Sequence, residues 1–188
     1  MSCPPLPRHT VTQPLDQSYR LIPLTKGQTA IVDATDYEWL MQWSWQAQWN
    51  SHTKSFYARR KNYPQSSIRM HREITGAKAG ELVDHWNHNG LDNRRQNLRK
   101  CTNAQNCRNQ RIRSTNTSGL KGVRAVKNRW VAQIRLNGKN KKLGYFLTPQ
   151  EAAAAYDAAA ILNYGKFALG NFTHQNVRPL NPPEGGLE

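Results

Sequence analysis

The chain has 188 residues, with 27 Lys and Arg against 12 Asp and Glu, a formal charge of +15 and a pI near 10.2. That length allows one domain or two small ones and argues against a large multidomain enzyme with a deep cofactor cleft; the charge calls for a polyanionic partner. With 37% hydrophobic residues and six Trp, the sequence can still bury cores and is not a disordered basic tail.

The longest nearly apolar stretch, Ala152 to Leu162, is interrupted by Asp157 and falls well short of the roughly 20 residues that cross a bilayer. The start, Met1-Ser2-Cys3-Pro4-Pro5-Leu6-Pro7, lacks the apolar centre of a secretory signal. An intracellular protein without a membrane span is expected. Cys3, Cys101 and Cys107 are odd in number and lack the Cys-x-x-Cys spacing of zinc sites, so they read as ordinary thiols.

The charge is unevenly placed. Residues 69–113 carry +6 (10 basic, 4 acidic) and residues 114–172 carry +7 (9 basic, 2 acidic), against +3 for residues 1–68 (7 basic, 4 acidic) and −1 for residues 173–188 (1 basic, 2 acidic). Such a field attracts phosphate backbones by counterion release, without by itself distinguishing DNA from RNA or an acidic membrane.

Residues 1–18, rich in Pro and polar groups, are expected to form a loose arm. From Tyr19 the pattern is strand-like and predicts a hairpin turning at Gly27. Asp36 to Met41 reads as a short helix entered through Thr35 or Asp36. Trp39, Trp43, Trp45 and Trp49 then fall within eleven residues, followed by a strand from Phe56 to Arg60. Clustered aromatics can stack bases, but in a small domain they more often supply core volume, which is the favoured reading.

Residues 70–109 are dense in polar side chains, from Met70-His71-Arg72 through Asp84-His85-Trp86-Asn87-His88-Asn89-Gly90-Leu91-Asp92-Asn93-Arg94 to Asn106. The apolar pair Leu82-Val83 delivers Asp84-His85, which predicts a strand ending at a chemical site. A polar turn with Gly90 follows, and Arg94 to Asn106 reads as a helix with Leu98 facing inward. On such a helix Asn97 and Asn106 are 2.5 turns apart and point to different sides. Asp92 is expected to cap that helix, His88 to be a turn residue, and Ser114 to Gly119 to have linker chemistry.

This central run resembles the HNH endonucleases, in particular the homing type found in phages and group I introns. Asp84-His85, Asn97-Leu98 and Asn106 match the opening pair, the central Asn-Leu and the final metal position of that family. The resemblance implies a ββα-metal motif around one divalent cation, Mg²⁺ or Mn²⁺, held by Asp84 and Asn106. It implies His85 as the general base that takes a proton from the attacking water, and Asn97 as the brace of the loop that orients His85. His71 either touches the scissile phosphate or satisfies a buried hydrogen bond. Arg94, with Arg95, Arg99, Arg108, Arg111 and Arg113, is a candidate for phosphate contacts that position DNA without reading it. A phage-encoded protein of this kind would work in the host-cell cytoplasm. The roles suit phosphodiester hydrolysis, which needs a deprotonated water and charge stabilisation at phosphorus. A neutral imidazole can take the proton. Asp and Asn are hard oxygen ligands for such cations.

Beyond residue 118, Trp130 to Leu136 alternates strictly, with Trp130, Ala132, Ile134 and Leu136 on one face and Val131, Gln133 and Arg135 on the other. Asn137-Gly138 is a two-residue hairpin signal leading into Lys139 to Phe146, and Gly122 to Val126 supplies a preceding strand turning at Lys127-Asn128. Thr148-Pro149-Gln150-Glu151 reads as a capping box with Pro at the first helical position. It launches an Ala-rich helix to Asn163, closed by Gly165, that covers one sheet face and leaves the other open. Gly122-Val123-Arg124, Trp130 to Arg135, Leu143-Gly144-Tyr145-Phe146, Ala155-Tyr156-Asp157 and Asn171-Phe172 resemble the plant ethylene-responsive-factor (Apetala-two) DNA-binding domain. That resemblance implies a sheet in the major groove, with Lys121, Arg124, Arg129, Gln133, Arg135, Lys141 and Lys142 as the DNA-binding set.

The expected fold class is α+β: an N-terminal ββα-metal (HNH) nuclease domain over residues 19–113, a linker at 114–118, a three-stranded antiparallel sheet packed on one helix over 119–172, and a tail at 173–188. The expected partner is double-stranded DNA, with the oligomeric state left open and a monomer allowed. A non-catalytic DNA-binding regulator that keeps the nuclease fold is the main alternative. An RNA-binding protein using the Trp cluster is a weaker one.

Overall fold

The computed structural model describes residues 9–62, 67–112 and 115–172. Expectations for Cys3, the first eight residues of the arm, Arg113, Ser114 and the tail at 173–188 lie outside the described residues. The chain divides into two compact units, Met1–Asn103 and Ala104–Glu188. Both are mixed α and β, built on small antiparallel sheets, with four α-helices among the described residues. No helix among them is long and apolar enough to cross a membrane.

In the first unit, β1 (Tyr19–Pro23) pairs antiparallel with β2 (Thr29–Asp33), Tyr19 opposite Asp33. The turn between them puts Lys26 and Gly27 in the left-handed region, at φ 60° and 62°. Residues 9–18 have no regular structure except bends and turns, and polar side chains tie them to β1 and β2. The Gln13 amide pairs both ways with the Leu21 backbone, at 2.9 Å each way, and His9 Nε2 reaches Thr29 Oγ1 at 3.1 Å. The composition of this segment hid the attraction of an unpaired strand edge, which offers backbone donors and acceptors to any polar side chain.

Helix α1 (Ala34–Met41) starts directly after β2, and its cap is Asp33 rather than Thr35 or Asp36. Asp36, in the first turn, is buried and accepts the Trp39 indole N–H at 3.0 Å. Strands β3 (Gln46–Asn50), β4 (Ser55–Lys61) and β5 (Ser67–Arg69) form a meander that feeds α2 (Met70–Thr75), which Gly76 closes at φ 57°. Ile22, Leu24, Val32, Leu40, Trp45, Met70, Ile74 and Leu98 form the core of this unit, with Trp39 and Trp43 packed against it. Each such aliphatic side chain contributes about 1.5–3 kcal/mol on burial. The Trp45 indole keeps its hydrogen bond by donating to Leu40 O at 2.8 Å. Three of the four clustered Trp are therefore core or core-packed. Trp49 is half-exposed and meets Phe56 edge-on, ring centroids 5.0 Å apart.

The expected helix from Arg94 to Asn106 is absent. Strand β6 (Leu82–His85) pairs antiparallel with β7 (Leu98–Cys101), a single 3₁₀ turn at Arg95–Asn97 precedes β7, and α3 (Asn103–Arg108) follows it. Arg, Gln, Leu and Lys are good helix formers, but propensity yields to tertiary context, and β6 offers a full ladder to Leu98-Arg99-Lys100-Cys101, so tertiary pairing prevails. Leu98 does face inward, from a strand. Asn97 and Asn106 consequently stand on different elements.

In the second unit β8 (Val123–Val126), β9 (Arg129–Leu136) and β10 (Lys139–Phe146) form an antiparallel sheet in the order β10-β9-β8. Lys127 (φ 51°) serves the first turn, and Asn137 (φ 49°) with Gly138 (φ 78°) the second, the pair of positive angles that a two-residue hairpin loop needs. Helix α4 (Pro149–Tyr164) carries the capping box: Glu151 N donates to Thr148 Oγ1 and Thr148 N to Glu151 Oε2, both at 3.2 Å. Its Ala152, Ala153, Tyr156 and Ala160 are buried in clusters shared with Val123, Ala132 and Ile134 of the sheet. A Cβ on Gly122 would lie 2.0 Å from the Tyr156 ring, so only glycine permits this approach.

Candidate functional site

Strand β6 ends by presenting Asp84 and His85, and both side chains are buried. The connection from Trp86 to Asn97 is held by its own polar side chains. Asn97 Oδ1 accepts Asn87 N–H at 2.9 Å, Asn97 Nδ2 donates to Asp92 O at 2.7 Å, and Trp86 N donates to Asn97 O at 2.9 Å. Asn97 thus clasps both ends of the loop, the geometry that a brace requires. His88 occupies the left-handed region at φ 60° within the turn.

The loop is also docked on β2, where Ile31 N donates to Leu91 O at 2.8 Å and Asn93 N to Ile31 O at 2.7 Å. Asp92 does not cap a helix. It is buried, receives two guanidinium bonds from Arg94 at 2.8 and 2.7 Å, and accepts Asn87 Nδ2 at 2.8 Å. The Arg94 guanidinium holds its carboxyl below the ordinary value against the opposing effect of burial.

Asn93, fully buried, orients the histidine. Its amide nitrogen donates to Leu91 O at 3.1 Å, which turns its oxygen toward His85 Nε2 at 3.4 Å. An amide oxygen can only accept, so the ring proton of neutral His85 sits on Nε2 and the lone pair on Nδ1. Burial pushes the His85 pKa down to about 4, with the Asn93 contact working in the opposite direction. The imidazole is neutral at neutral pH.

His71, on α2, is buried beside it, ring centroids 4.9 Å apart, and the Tyr57 ring from β4 packs on both histidines at 5.8 and 5.7 Å. Its Nδ1 has no hydrogen-bond partner among the described residues. Nδ1 therefore does not make the buried hydrogen bond of one reading of His71, and the other reading, a contact with the scissile phosphate, requires DNA. Burial lowers its pKa to about 2, helped by His85, Arg69 and Arg72. Gly90 is needed for close approach, since a Cβ there would lie 2.4 Å from Phe56 O and 2.8 Å from the Tyr57 ring.

Three of the arginines expected to face phosphates are matched to carboxylates. Besides Arg94 with Asp92, Arg95 binds Asp36 through two bonds at 2.7 and 2.8 Å, and Arg99 Nη2 lies 2.5 Å from Asp84 Oδ2. Arg95 remains 57% exposed at its side chain, whereas Arg99 is 11% exposed. Among the described residues no three His, Cys, Asp or Glu side chains gather as a metal-ligand set. The expected set has one carboxylate, Asp84, and one amide, Asn106, which stands on α3 at the start of the second unit. As hard oxygen donors they fit Mg²⁺ or Mn²⁺, on condition that Arg99 yields the Asp84 carboxylate.

On the second unit, the sheet face away from α4 carries Arg124, Val131 and Tyr145 in one register row, then Gln133 opposite Lys142 and Arg135 opposite Asn140. Arg124, Arg129, Arg135 and Lys142 are exposed and Gln133 half-buried, whereas Lys141, also exposed, stands opposite Ile134 on the α4 side of the sheet. Val131 is buried, so the face is not open along its whole length. Lys142 Nζ donates to Tyr145 OH at 2.7 Å, which holds that phenol below its ordinary pKa.

Lys121 is placed differently from the rest of its expected set. Its ammonium donates to Arg108 O at 2.7 Å, its backbone is clamped by Asn171, and burial lowers its pKa to about 8. It acts within the fold rather than on the sheet surface.

Sequence reasoning gave no role to Tyr57, Asn93 or the Asp84–Arg99 pair. Asn93 stood inside the polar run from Asp84 to Arg94, the signal that could have found it. Tyr57 carried no local signal, because its relation to the histidines exists only after the meander folds.

No family model matches the chain. Over 90 residues, 47% of this chain and 46% of the relative, it is 36% identical to an uncharacterized HNH endonuclease of Acanthamoeba polyphaga mimivirus. Over 82 residues, 42% of this chain and 34% of the relative, it is 35% identical to an ethylene-responsive transcription factor of Medicago truncatula. The chain thus spans less than half the length of these curated relatives, one named as a nuclease and the other as a transcription factor.

Proposed function

We propose that the chain is a metal-dependent DNA endonuclease of the HNH homing type, with a C-terminal sheet that binds the DNA target. The observation that carries this reading is the placement of His85. It is neutral, has its tautomer set by Asn93, and ends a strand beside Asp84 within a loop clasped by Asn97. The nuclease and transcription-factor similarities support the two halves of the reading.

In this reading His85 Nδ1 accepts the proton of the water that attacks phosphorus, and Asn97 keeps the imidazole pointed there by fixing the loop. Asp84 and Asn106 hold a divalent cation, which when bound stabilises negative charge on the phosphoryl and leaving oxygens. Arg124, Arg129, Arg135 and Lys142 anchor the duplex through phosphate and groove contacts, with Gln133 beside them. With one carboxylate, Asp84, and one amide, Asn106, the chain would supply few of the ligands that such a cation takes, and water and DNA oxygens would supply the others.

Purified protein is expected to cut duplex DNA with Mg²⁺ or Mn²⁺, to stop with chelator, and to lose cutting in His85→Ala while retaining salt-sensitive DNA binding. Equal cleavage by wild type and His85→Ala would refute the assignment of the base. A DNA-binding protein that does not cut is the second reading, favoured by the occupation of Asp84 by Arg99. Binding without metal-dependent cleavage on any duplex, including the DNA flanking its gene, would select it.

A further inference from the structure

The Asp84–Arg99 ion pair sets a condition on the metal site just proposed, and the inference drawn from it rests on that reading. Asp84 and Arg99 are register partners across β6 and β7, their side chains are 9% and 11% exposed, and Nη2 and Oδ2 are 2.5 Å apart. The neighbouring cations have anions of their own: Arg94 pairs with Asp92, Arg95 with Asp36 and Arg60 with Glu73. A divalent ion at Asp84 would face the guanidinium at contact distance. Evicting that guanidinium would break a nearly closed ion pair, which is strongly unfavourable unless another anion receives the charge. A DNA phosphate is such an anion, and guanidinium binds it bidentately.

We propose that Arg99 is a resident counter-cation at Asp84: it holds the carboxylate in the free protein and passes to a DNA phosphate on substrate binding, so that metal and DNA bind cooperatively. The free protein then keeps its cutting site closed to divalent ions, and the metal enters with the substrate. By linkage, DNA must strengthen metal binding by the same factor as metal strengthens DNA binding.

The test uses the full chain with His85→Ala, which prevents turnover, and reads Mn²⁺ binding by electron paramagnetic resonance and duplex binding by fluorescence anisotropy. Arg99→Gln and Arg99→Met, the latter keeping an apolar stem of similar bulk, are expected to bind Mn²⁺ at least tenfold more tightly without DNA. Arg99→Lys, which keeps the charge, is not. Adding Asp84→Asn is expected to cancel the gain. Mn²⁺ should strengthen duplex binding in the Arg99 protein by several-fold more than in Arg99→Gln. The proposal is overturned if Mn²⁺ affinity is unchanged or weaker in both Arg99→Gln and Arg99→Met, or if Mn²⁺ leaves duplex affinity of the Arg99 protein unaltered. Wild-type cleavage separates the two claims. Cutting by wild type with no tightening in the Arg99 variants sinks the counter-cation alone. Asp84-dependent tightening with no cutting by wild type sinks the nuclease reading alone.

Discussion

The imidazoles of His71 and His85 meet edge to face at 4.9 Å, with ring planes 85° apart, and both are buried. Two adjacent buried imidazoles cannot readily both be charged, and burial is the leading cause of the depression of each pKa, to about 2 and about 4.

This pair makes the first unit sensitive to acid. Both folded pKa values lie below the ordinary 6.5, so between pH 6.5 and about 4 the unfolded chain binds more protons than the folded one, and stability falls as pH falls through that window. Each histidine contributes a slope of at most about 1.4 kcal/mol per pH unit. Denaturant unfolding followed by Trp fluorescence from pH 7 to 4.5 should show this loss. His71→Phe, which keeps an aromatic ring against Tyr57, should roughly halve the slope. An unchanged slope would show that His71 is not buried neutral.

Gly90→Ala tests the contact between the loop and β4. The added methyl meets Phe56 O, a backbone atom that cannot swing aside, as well as the Tyr57 ring that packs on both histidines. The loop must retreat from the sheet, with an expected cost of about 2–3 kcal/mol by analogy with overpacked cores. Gly90 is not at positive φ, so the cost comes from space. Tyr57→Ala in the same chain should recover only part of it, because Phe56 O remains. Unaltered thermal unfolding of Gly90→Ala would disprove the close packing.

What the sequence revealed depended on how local each signal was. The C-terminal sheet and helix were readable because their cues, Asn137-Gly138, strict alternation along β9 and the Thr148–Glu151 box, act within a few residues. The Asp84-His85 strand end was readable for the same reason. The segment from Arg94 to Asn106 was misread because its helical propensity is local, whereas the ladder to β6 that overrides it is not. The destination of each arginine was equally hidden: a charge run states how many cations exist, and only the fold reveals that Asp36, Asp84 and Asp92 claim three of them.

Lys121 shows the same limit in the second unit, and its burial has a measurable consequence. Its folded pKa of about 8 is below the ordinary 10.5, so the unfolded chain binds the extra proton between those values and stability rises as pH increases from 8 toward 10.5. The full effect is on the order of 3 kcal/mol. Lys121→Met, which keeps an unbranched stem without charge, should flatten this rise in unfolding measured by circular dichroism between pH 7.5 and 10. DNA affinity measured well below pH 8 should change less than in Arg124→Ala, because the Lys121 ammonium is committed to Arg108 O. A loss of DNA affinity equal to that of Arg124→Ala would instead place Lys121 on the duplex.

Arg124 and Arg135 should divide their labour on the duplex according to their neighbours on the sheet. Arg124 is exposed and shares a register row with Val131 and Tyr145, beside the Lys142–Tyr145 hydrogen bond. Arg135 stands opposite Asn140 near the exposed end of the hairpin. A guanidinium within the sheet face suits bidentate reading of a base edge, and one beside the hairpin turn suits phosphate contact. Arg124→Ala is therefore expected to cost about 1–3 kcal/mol on the preferred sequence and to flatten preference among duplexes. Arg135→Ala should weaken binding to all duplexes alike and lower the salt dependence by about one ion. Binding to a randomised duplex pool, followed by anisotropy over a range of salt, separates the two. If both variants weaken every duplex equally, the sheet grips DNA without reading it, and specificity must come from elsewhere in the chain.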